Sequence, residues 1–157
     1  YVGTRLDEYE QVASGPAEVL VQAEEDGILP AGTAIGFANL VKQDGNQRWK
    51  HTARVNWRSN SGSWGAAVTG TKLTDAIDTR PGEASDGSQW VIDSMSTYNV
   101  SADYSFDTFG DTAARVRVGI NNFTDARAPF TSGRFGYSSD MHRDWGRSWY
   151  VDLRLDF

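Results

Sequence analysis

The chain contains no cysteine, so neither disulfide bridges nor thiolate-bound metals contribute to its fold. It has no run of about 18 consecutive apolar residues, the length that predicts a membrane-spanning helix. Basic residues are outnumbered, at 15 Lys and Arg against 21 Asp and Glu, which argues against a general nucleic-acid binder. The start of the sequence lacks a charged and then apolar leader segment, so we expect a mature product or a piece of a longer protein.

The most informative pattern that is present is a strict alternation at the end of the chain. Successive residues of a strand face opposite sides of the sheet. The last nine residues therefore predict a strand with one wholly apolar face and one face that carries charges, as in the wall of an outer-membrane barrel. The apolar positions are Trp149, Val151, Leu153, Leu155 and Phe157, and the residues between them are Tyr150, Asp152, Arg154 and Asp156.

The same alternation predicts four further strands, at 49–58, 64–71, 97–106 and 115–121. A partial strand is expected within residues 1–12, and a short helix at 17–25. Residues 59–63 and 107–111 are tight turns rich in Gly, Ser, Asn and Asp. Residues 13–47, 74–95 and 124–146 are long connections, which an outer-membrane barrel gathers on its external side.

Alternation alone also fits a soluble β-sandwich, which buries its apolar face against a second sheet. The positions of the aromatic residues favour the membrane, because large rings lie near the strand ends while Ala, Val and Leu occupy the middles, and amphipathic rings prefer the two membrane interfaces. The predicted membrane girdle is Trp49, Trp57, Trp64, Tyr98, Phe106 and Trp149. A secreted carbohydrate-binding sandwich using Trp90 and Trp145 is the competing hypothesis.

Three segments resemble the TonB-dependent outer-membrane receptors. Residues 115–125, RVRVGINNFTD, with Pro129 and Phe130 after them, resemble the penultimate strand and following loop of that family. Residues 146–157 look like its closing strand, whose terminal aromatic, Phe157 here, is the signal for the outer-membrane assembly machinery. Residues 49–57 are similar to an earlier descending strand. The chain departs from the family pattern at 123–124, where Phe-Thr replaces Leu-Phe, and at Ala126, which replaces Lys.

The resemblance implies an all-β fold: the C-terminal portion, residues 1–157, of an antiparallel transmembrane β-barrel of about 22 strands. The family's plug domain and TonB-engaging box are absent from this chain. The implied function is TonB-energised uptake of a scarce solute, such as an iron–siderophore, cobalamin or an oligosaccharide, across the outer membrane of a Gram-negative bacterium. The implied partners are the rest of the barrel and its plug, the TonB complex, the assembly machinery and outer-membrane lipid. A passive porin is a further alternative.

Two groups of site residues follow. The polar sides of the strands are expected to face the lumen and contact the plug through ion pairs and hydrogen bonds, at Arg54, Asn56, Arg58, Asn99, Asp103, Arg115, Arg117, Asn121, Asp152 and Arg154. The last long connection combines guanidinium, carboxylate and aromatic groups that suit ligand binding. These loop candidates are Arg127, Phe130, Arg134, Phe135, Tyr137, Asp140, His142, Arg143 and Trp145.

Other chemistry is not expected from the sequence. His51 and His142 lack a second ligand at metal spacing, which argues against a zinc site. The acids Asp75, Asp78, Glu83 and Asp86 lack the spacing of a calcium loop and are predicted to form a solvated face. No catalytic arrangement is recognisable, so we expect no enzymatic reaction, no cofactor and no metal.

Overall fold

A computed structural model describes residues 1–34, 39–81, 86–108, 113–133 and 135–156. Its elements are β1 (Val2–Arg5), α1 (Pro16–Glu25), β2 (Trp49–Arg58), β3 (Trp64–Leu73), β4 (Ala76–Asp78), β5 (Trp90–Ile92), β6 (Met95–Asp107), β7 (Ala113–Asn121) and β8 (Ser148–Asp156). Six of the strands form an antiparallel sheet in the order β1-β2-β3-β6-β7-β8, and β4 and β5 form a separate hairpin. The antiparallel, all-β prediction is confirmed at this level.

Each of the five strands predicted from alternation is present, and β1 corresponds to the partial strand expected within residues 1–12. The helix begins at Pro16, one residue before the predicted start, because proline suits the first turn of a helix. The β4–β5 hairpin was not predicted. Its strands have three residues each, too few to show an alternation within the long connection 74–95.

The strand register brings the apolar stripes onto one side of the sheet. Val55 pairs with Val68, which pairs with Val100, and the same row continues through Ile120 to Trp149. Because side chains alternate with a period of two, this one row determines which face of the sheet each of the remaining side chains occupies. We call the side that carries these residues the apolar face, and the opposite side, which carries Arg54, Asp103 and Arg117, the polar face.

The connections separate by length between the two ends of the sheet. Residues 59–63 join β2 to β3 at one end, which we call the turn end, and β6 ends and β7 begins at that same end. Most of the predicted turn at 107–111 lies outside the described residues. The segments 6–48, 74–94 and 122–147 leave from the opposite end, the loop end. The predicted division into short turns on one side and long connections on the other is therefore confirmed.

Within the described residues, the apolar face of the sheet has no hydrophobic core of its own. Val55, Val151 and Leu153 are 71%, 74% and 63% exposed in the middles of their strands. Among the described residues, no second layer covers this face. The buried apolar cluster instead lies at the loop end, where Ala76 and Ile92 of the hairpin join Met141. In the part of the chain that is described, no helix has the length and hydropathy needed to cross a membrane.

Candidate functional site

The predicted girdle residues all lie on the apolar face, in two groups. Trp49, Tyr98 and Trp149 are near the loop end of their strands. Nearer the turn end, Trp64 and Tyr104 pack with ring centroids 4.5 Å apart. Trp57 and Phe106 belong to this second group, each eight residues beyond the first-group aromatic of its own strand. The middles of the strands between the two groups carry small and aliphatic side chains.

The first group of aromatic residues descends steadily across the sheet. Tyr98 is level with Ala53, four residues after Trp49 in β2. Trp149 is level with Val100, two residues after Tyr98 in β6. The aromatic residues therefore shift by six positions over the four steps from β2 to β8. A line through them crosses the strands obliquely.

The lumen candidates all lie on the polar face, and their charges concentrate near the turn end. Arg58, Asp103, Arg117 and Asp152 share one row of the register. Arg115 and Arg154 occupy the next row toward the turn end. Asn56 is one row closer to the loop end than Arg58, and Arg54 one row further, with its Nε donating to the Asn56 side chain at 2.8 Å.

Asp103 is the centre of this charged group. Its carboxylate accepts from both sides of the Arg115 guanidinium, at 2.8 Å from Nη2 and 3.1 Å from Nε. It also pairs with Arg58 of β2 at 3.3 Å, across the intervening strand β3. The Arg58–Asp103 contact is possible because Gly65 lies between them. A Cβ at Gly65 would be 2.8 Å from both Asp103 carboxylate oxygens and 3.0 Å from an Arg58 nitrogen.

The polar face is concave between β7 and β8. A depression of about 530 Å³ there is lined by Arg115, Arg117, Asp152 and Arg154. Three guanidinium groups and the Asp152 carboxylate face this depression, and the Arg115 guanidinium among them is paired with Asp103. Guanidinium groups bind carboxylates through paired hydrogen bonds, as Arg115 binds Asp103 here.

At the loop end, Asp78 joins the hairpin to the last long segment. One carboxylate oxygen accepts from the backbone N and the hydroxyl of Ser132, at 2.9 and 2.7 Å. The other accepts from Nε of Arg80 at 2.7 Å. Although Asp78 is fully buried, which opposes ionisation, these hydrogen bonds from Arg80 and Ser132 prevail and lower its pKa to about 2. The carboxylate is therefore charged at neutral pH.

A second carboxylate closes the base of the segment 122–147. Asp144 pairs with the Arg127 guanidinium through both oxygens, with Nε at 2.8 Å, and accepts from the Ala128 backbone N at 2.9 Å. These contacts lower the pKa of Asp144 to about 2. Nearby, Asn122 adopts a positive φ of 49°, and its side chain bonds both backbone groups of Ala126. Asparagine tolerates this left-handed conformation better than most residues.

His142 is buried rather than exposed on the surface of the last long segment. It is 2% exposed, and neither ring nitrogen has a hydrogen-bond partner among the described residues. Burial lowers its pKa, because the charged imidazolium would lose its hydration. The imidazole is therefore neutral at neutral pH, and no described group holds it in a particular tautomer.

The remaining loop candidates form separate pairs and exposed rings. Phe130 packs against Trp90 at 5.9 Å between centroids, and the Arg143 guanidinium lies 5.4 Å from the Trp145 ring. Phe135 and Trp145 are strongly exposed, at 71% and 80%. Tyr137 is half-buried, and Asp140 is exposed. The loop candidate Arg134 and the terminal Phe157 lie outside the described residues.

The predicted solvated face of acids is wrong for Asp78, which is buried because Ser132 and Arg80 replace its water. Asp75 is paired with Lys42 at 2.8 Å but stays partly exposed, and Asp86 is exposed. Glu83 lies outside the described residues. No group of three or more His, Asp or Glu side chains suited to a metal occurs in the described part of the chain.

The contacts of Asp78 and Asp144 could not be read from sequence. Asp78 and Ser132 are 54 residues apart, and the three-residue strand that positions Asp78 gives no periodic signal. Arg127 and Asp144 are 17 residues apart in an aperiodic segment.

Comparisons with protein families, with characterised proteins and with solved structures found no match to this chain.

Proposed function

We propose that this chain is part of the wall of an outer-membrane β-barrel, in a receptor of the TonB-dependent type that its sequence resembles. The observation that carries the proposal is the apolar face of the six-stranded sheet. No described residues cover this face, and aromatic residues border it at the loop end and at the turn end. In water such a face would be an aggregation hazard. Against lipid it is the surface that a barrel wall requires.

The dimensions of the sheet support this assignment. Strands β2, β3, β7 and β8 have nine or ten residues, the length of a tilted transmembrane strand. The six-residue descent of the aromatic residues over four strand steps corresponds to a strand tilt of about 45°. Barrel strands in outer membranes tilt by about 35–45°. A line of interfacial rings would follow the membrane surface only if the strands were inclined in this way.

The free edges of the sheet require further strands. Among the described residues, β1 and β8 each pair on one side only, and an unpaired edge in lipid leaves backbone groups unsatisfied at several kcal/mol each. The completed barrel therefore includes strands outside this chain. We assign the polar face to the lumen and the loop end to the cell exterior, where the long segments meet the solute.

The uptake mechanism that we propose is the one implied by the resemblance to TonB-dependent receptors. A scarce solute binds the external loops, and energy delivered through TonB to a plug outside this chain opens the lumen. In this chain the charged group around Asp103 would contact that plug through ion pairs that can be broken and remade. The substrate class stays open among an iron–siderophore, cobalamin and an oligosaccharide.

The secreted β-sandwich is the alternative from another class. It needs a second sheet over the apolar face, and the described residues provide none, because the β4–β5 hairpin packs at the loop end instead. A passive porin would use the same wall without a plug.

The decisive experiment is an immunoblot of fractionated source cells, with an antibody to this segment and samples run both boiled and unboiled. We expect an outer-membrane band well above 17.3 kDa, with a mobility that changes on boiling. A soluble band near that mass would overturn the proposal in favour of the sandwich. An outer-membrane protein that lacks a plug sequence would identify the porin.

A further inference from the structure

The apolar face carries a small cationic and aromatic group at its loop end. In the strand residues that the structure describes, Arg5 and Lys72 are the only charged side chains on this face. Lys72 pairs across β2–β3 with His51, which pairs in turn with Gly3 of β1. The group therefore lies level with Trp49 and His51 of β2, nearer the loop end than the aliphatic middle of the sheet.

The side chains around Lys72 form a shallow depression of about 180 Å³, lined in part by Tyr1, His51 and Tyr98. It exists because Gly70, beside Tyr98, has no side chain, and a Cβ there would be 3.1 Å from the Tyr98 ring. The His51 ring stacks against Tyr1 and Trp49, and Tyr1 Oη lies 2.7 Å from His51 Nδ1.

Hydrogen-bonding capacity remains unused in this depression. Lys72 is exposed and has no ion pair or hydrogen bond within the described part of the chain. His51 uses Nδ1 for Tyr1, and its Nε2 has no partner among the described residues. Arg5 differs, because Asp7 pairs with it at 2.8 Å and its guanidinium lies over Trp49. The available positive charge is therefore that of Lys72.

We propose that Lys72, with His51 and the neighbouring tyrosines, binds the phosphate of an acidic lipid headgroup at the outer margin of the apolar face. This inference rests on the proposed function, because it needs the apolar face to meet lipid. The four-carbon stem of lysine lets an ammonium group on a lipid-facing strand reach the headgroup layer. Tyrosine and tryptophan rings prefer the same layer. Charge complementarity then selects a headgroup with a net negative charge over a zwitterionic one, whose own ammonium group balances its phosphate.

The test uses the protein in the form in which it occurs, reconstituted in vesicles of phosphatidylcholine alone or with one fifth phosphatidylglycerol. Native mass spectrometry after gentle detergent release counts the bound lipids of each class. We expect Lys72→Gln to lower retained phosphatidylglycerol by about fivefold, and Lys72→Arg to keep most of it. Lys50→Gln is the matched control, because Lys50 is an exposed lysine on the polar face of the adjacent strand.

Equal losses from Lys72→Gln and Lys50→Gln would indicate a general charge effect and overturn the site. Retention without preference for phosphatidylglycerol would also overturn it. Displacement of the lipid by inorganic phosphate, beyond the effect of chloride at equal ionic strength, would assign the depression to a small anion instead. Vesicle flotation is scored separately, since failure to enter vesicles of either composition contradicts the proposed function itself.

Discussion

Single carboxylates organise the loop end of this protein. Asp78 is buried and joins the hairpin to the last long segment, while Asp144 closes that segment at its base. Both have several donors directed at them, and both have a pKa lowered to about 2. The order of the segment 122–147 therefore depends on a few charge-assisted hydrogen bonds, which are stronger than neutral ones.

Replacing Asp78 by Asn tests this dependence. The amide places an NH₂ group against donors from Ser132 or Arg80, so we expect local unfolding of the segment 122–147 to become easier by about 2 kcal/mol. Amide hydrogen exchange in that segment should accelerate by roughly 30-fold. Asp93→Asn, at an exposed aspartate directly after β5, is the control and should change little. Equal protection in both variants would contradict the role of Asp78.

His142 makes the same segment sensitive to mild acid. Its folded pKa is lowered by burial, so the unfolded segment binds a proton that the folded one excludes. Stability is therefore lost as the pH falls below the unfolded pKa of about 6.5. We expect amides of 122–147 to lose protection between pH 7.5 and 5, after correction for intrinsic exchange.

The variant His142→Phe should remove this pH dependence, because it leaves no group to protonate at that position. The chain has two histidines, and His51→Phe is the matched control that should retain the dependence. Loss of protection at the same pH in the His142→Phe variant would assign the effect to another group.

Among the elements, β3 determines how closely its neighbours approach. Its small residues lie beside large ones on β2 and β6. Gly65 lies beneath the Arg58–Asp103 contact, and Gly70 is next to the Tyr98 ring. Side chains on β2 and β6 can therefore approach each other across β3. A residue with a Cβ at Gly65 or Gly70 would block this approach.

Gly65→Ala should separate Arg58 from Asp103, because its Cβ would lie 2.8 Å from the Asp103 carboxylate oxygens and 3.0 Å from an Arg58 nitrogen. In the parent protein, a double-mutant cycle of Arg58→Gln and Asp103→Asn should give a coupling of about 0.5–1 kcal/mol in denaturant unfolding. The coupling should approach zero in the Gly65→Ala background. Gly70→Ala, on the other face of the same strand, should leave it intact. Persistence of the coupling in Gly65→Ala would show that Arg58 reaches Asp103 by another route.

At the scale of the whole molecule, the long periodic strands were predictable because the alternation within each strand indicates which side chains lie on each face of the sheet. Residues 49–58 and 148–156 illustrate this, since tertiary contacts do not alter the alternation. The β4–β5 hairpin and the burial of Asp78 and His142 were not predictable. They depend on contacts between distant, aperiodic segments, and a three-residue strand has too few positions to reveal its facing.

Ala66 and Ala67 provide a matched pair for testing which face meets lipid. They are neighbours in the middle of β3 with opposite facing. We expect Ala66→Lys, on the apolar face, to reduce the free energy of folding into lipid vesicles by about 2–4 kcal/mol. Ala67→Lys should cost little, because its ammonium group enters a polar environment. Equal effects of the two substitutions would contradict a lipid-facing apolar face.

The charged group around Asp103 also has a mechanical consequence. One carboxylate connects β2, through Arg58, and β7, through Arg115, to its own strand β6. A force that pulls β2 away from β3 must therefore stretch the Arg58–Asp103 contact together with the backbone ladder. Load applied to β2 near the turn end is therefore passed through the Asp103 carboxylate to β6 and β7, so this corner of the sheet resists peeling more than its hydrogen-bond ladders alone would allow.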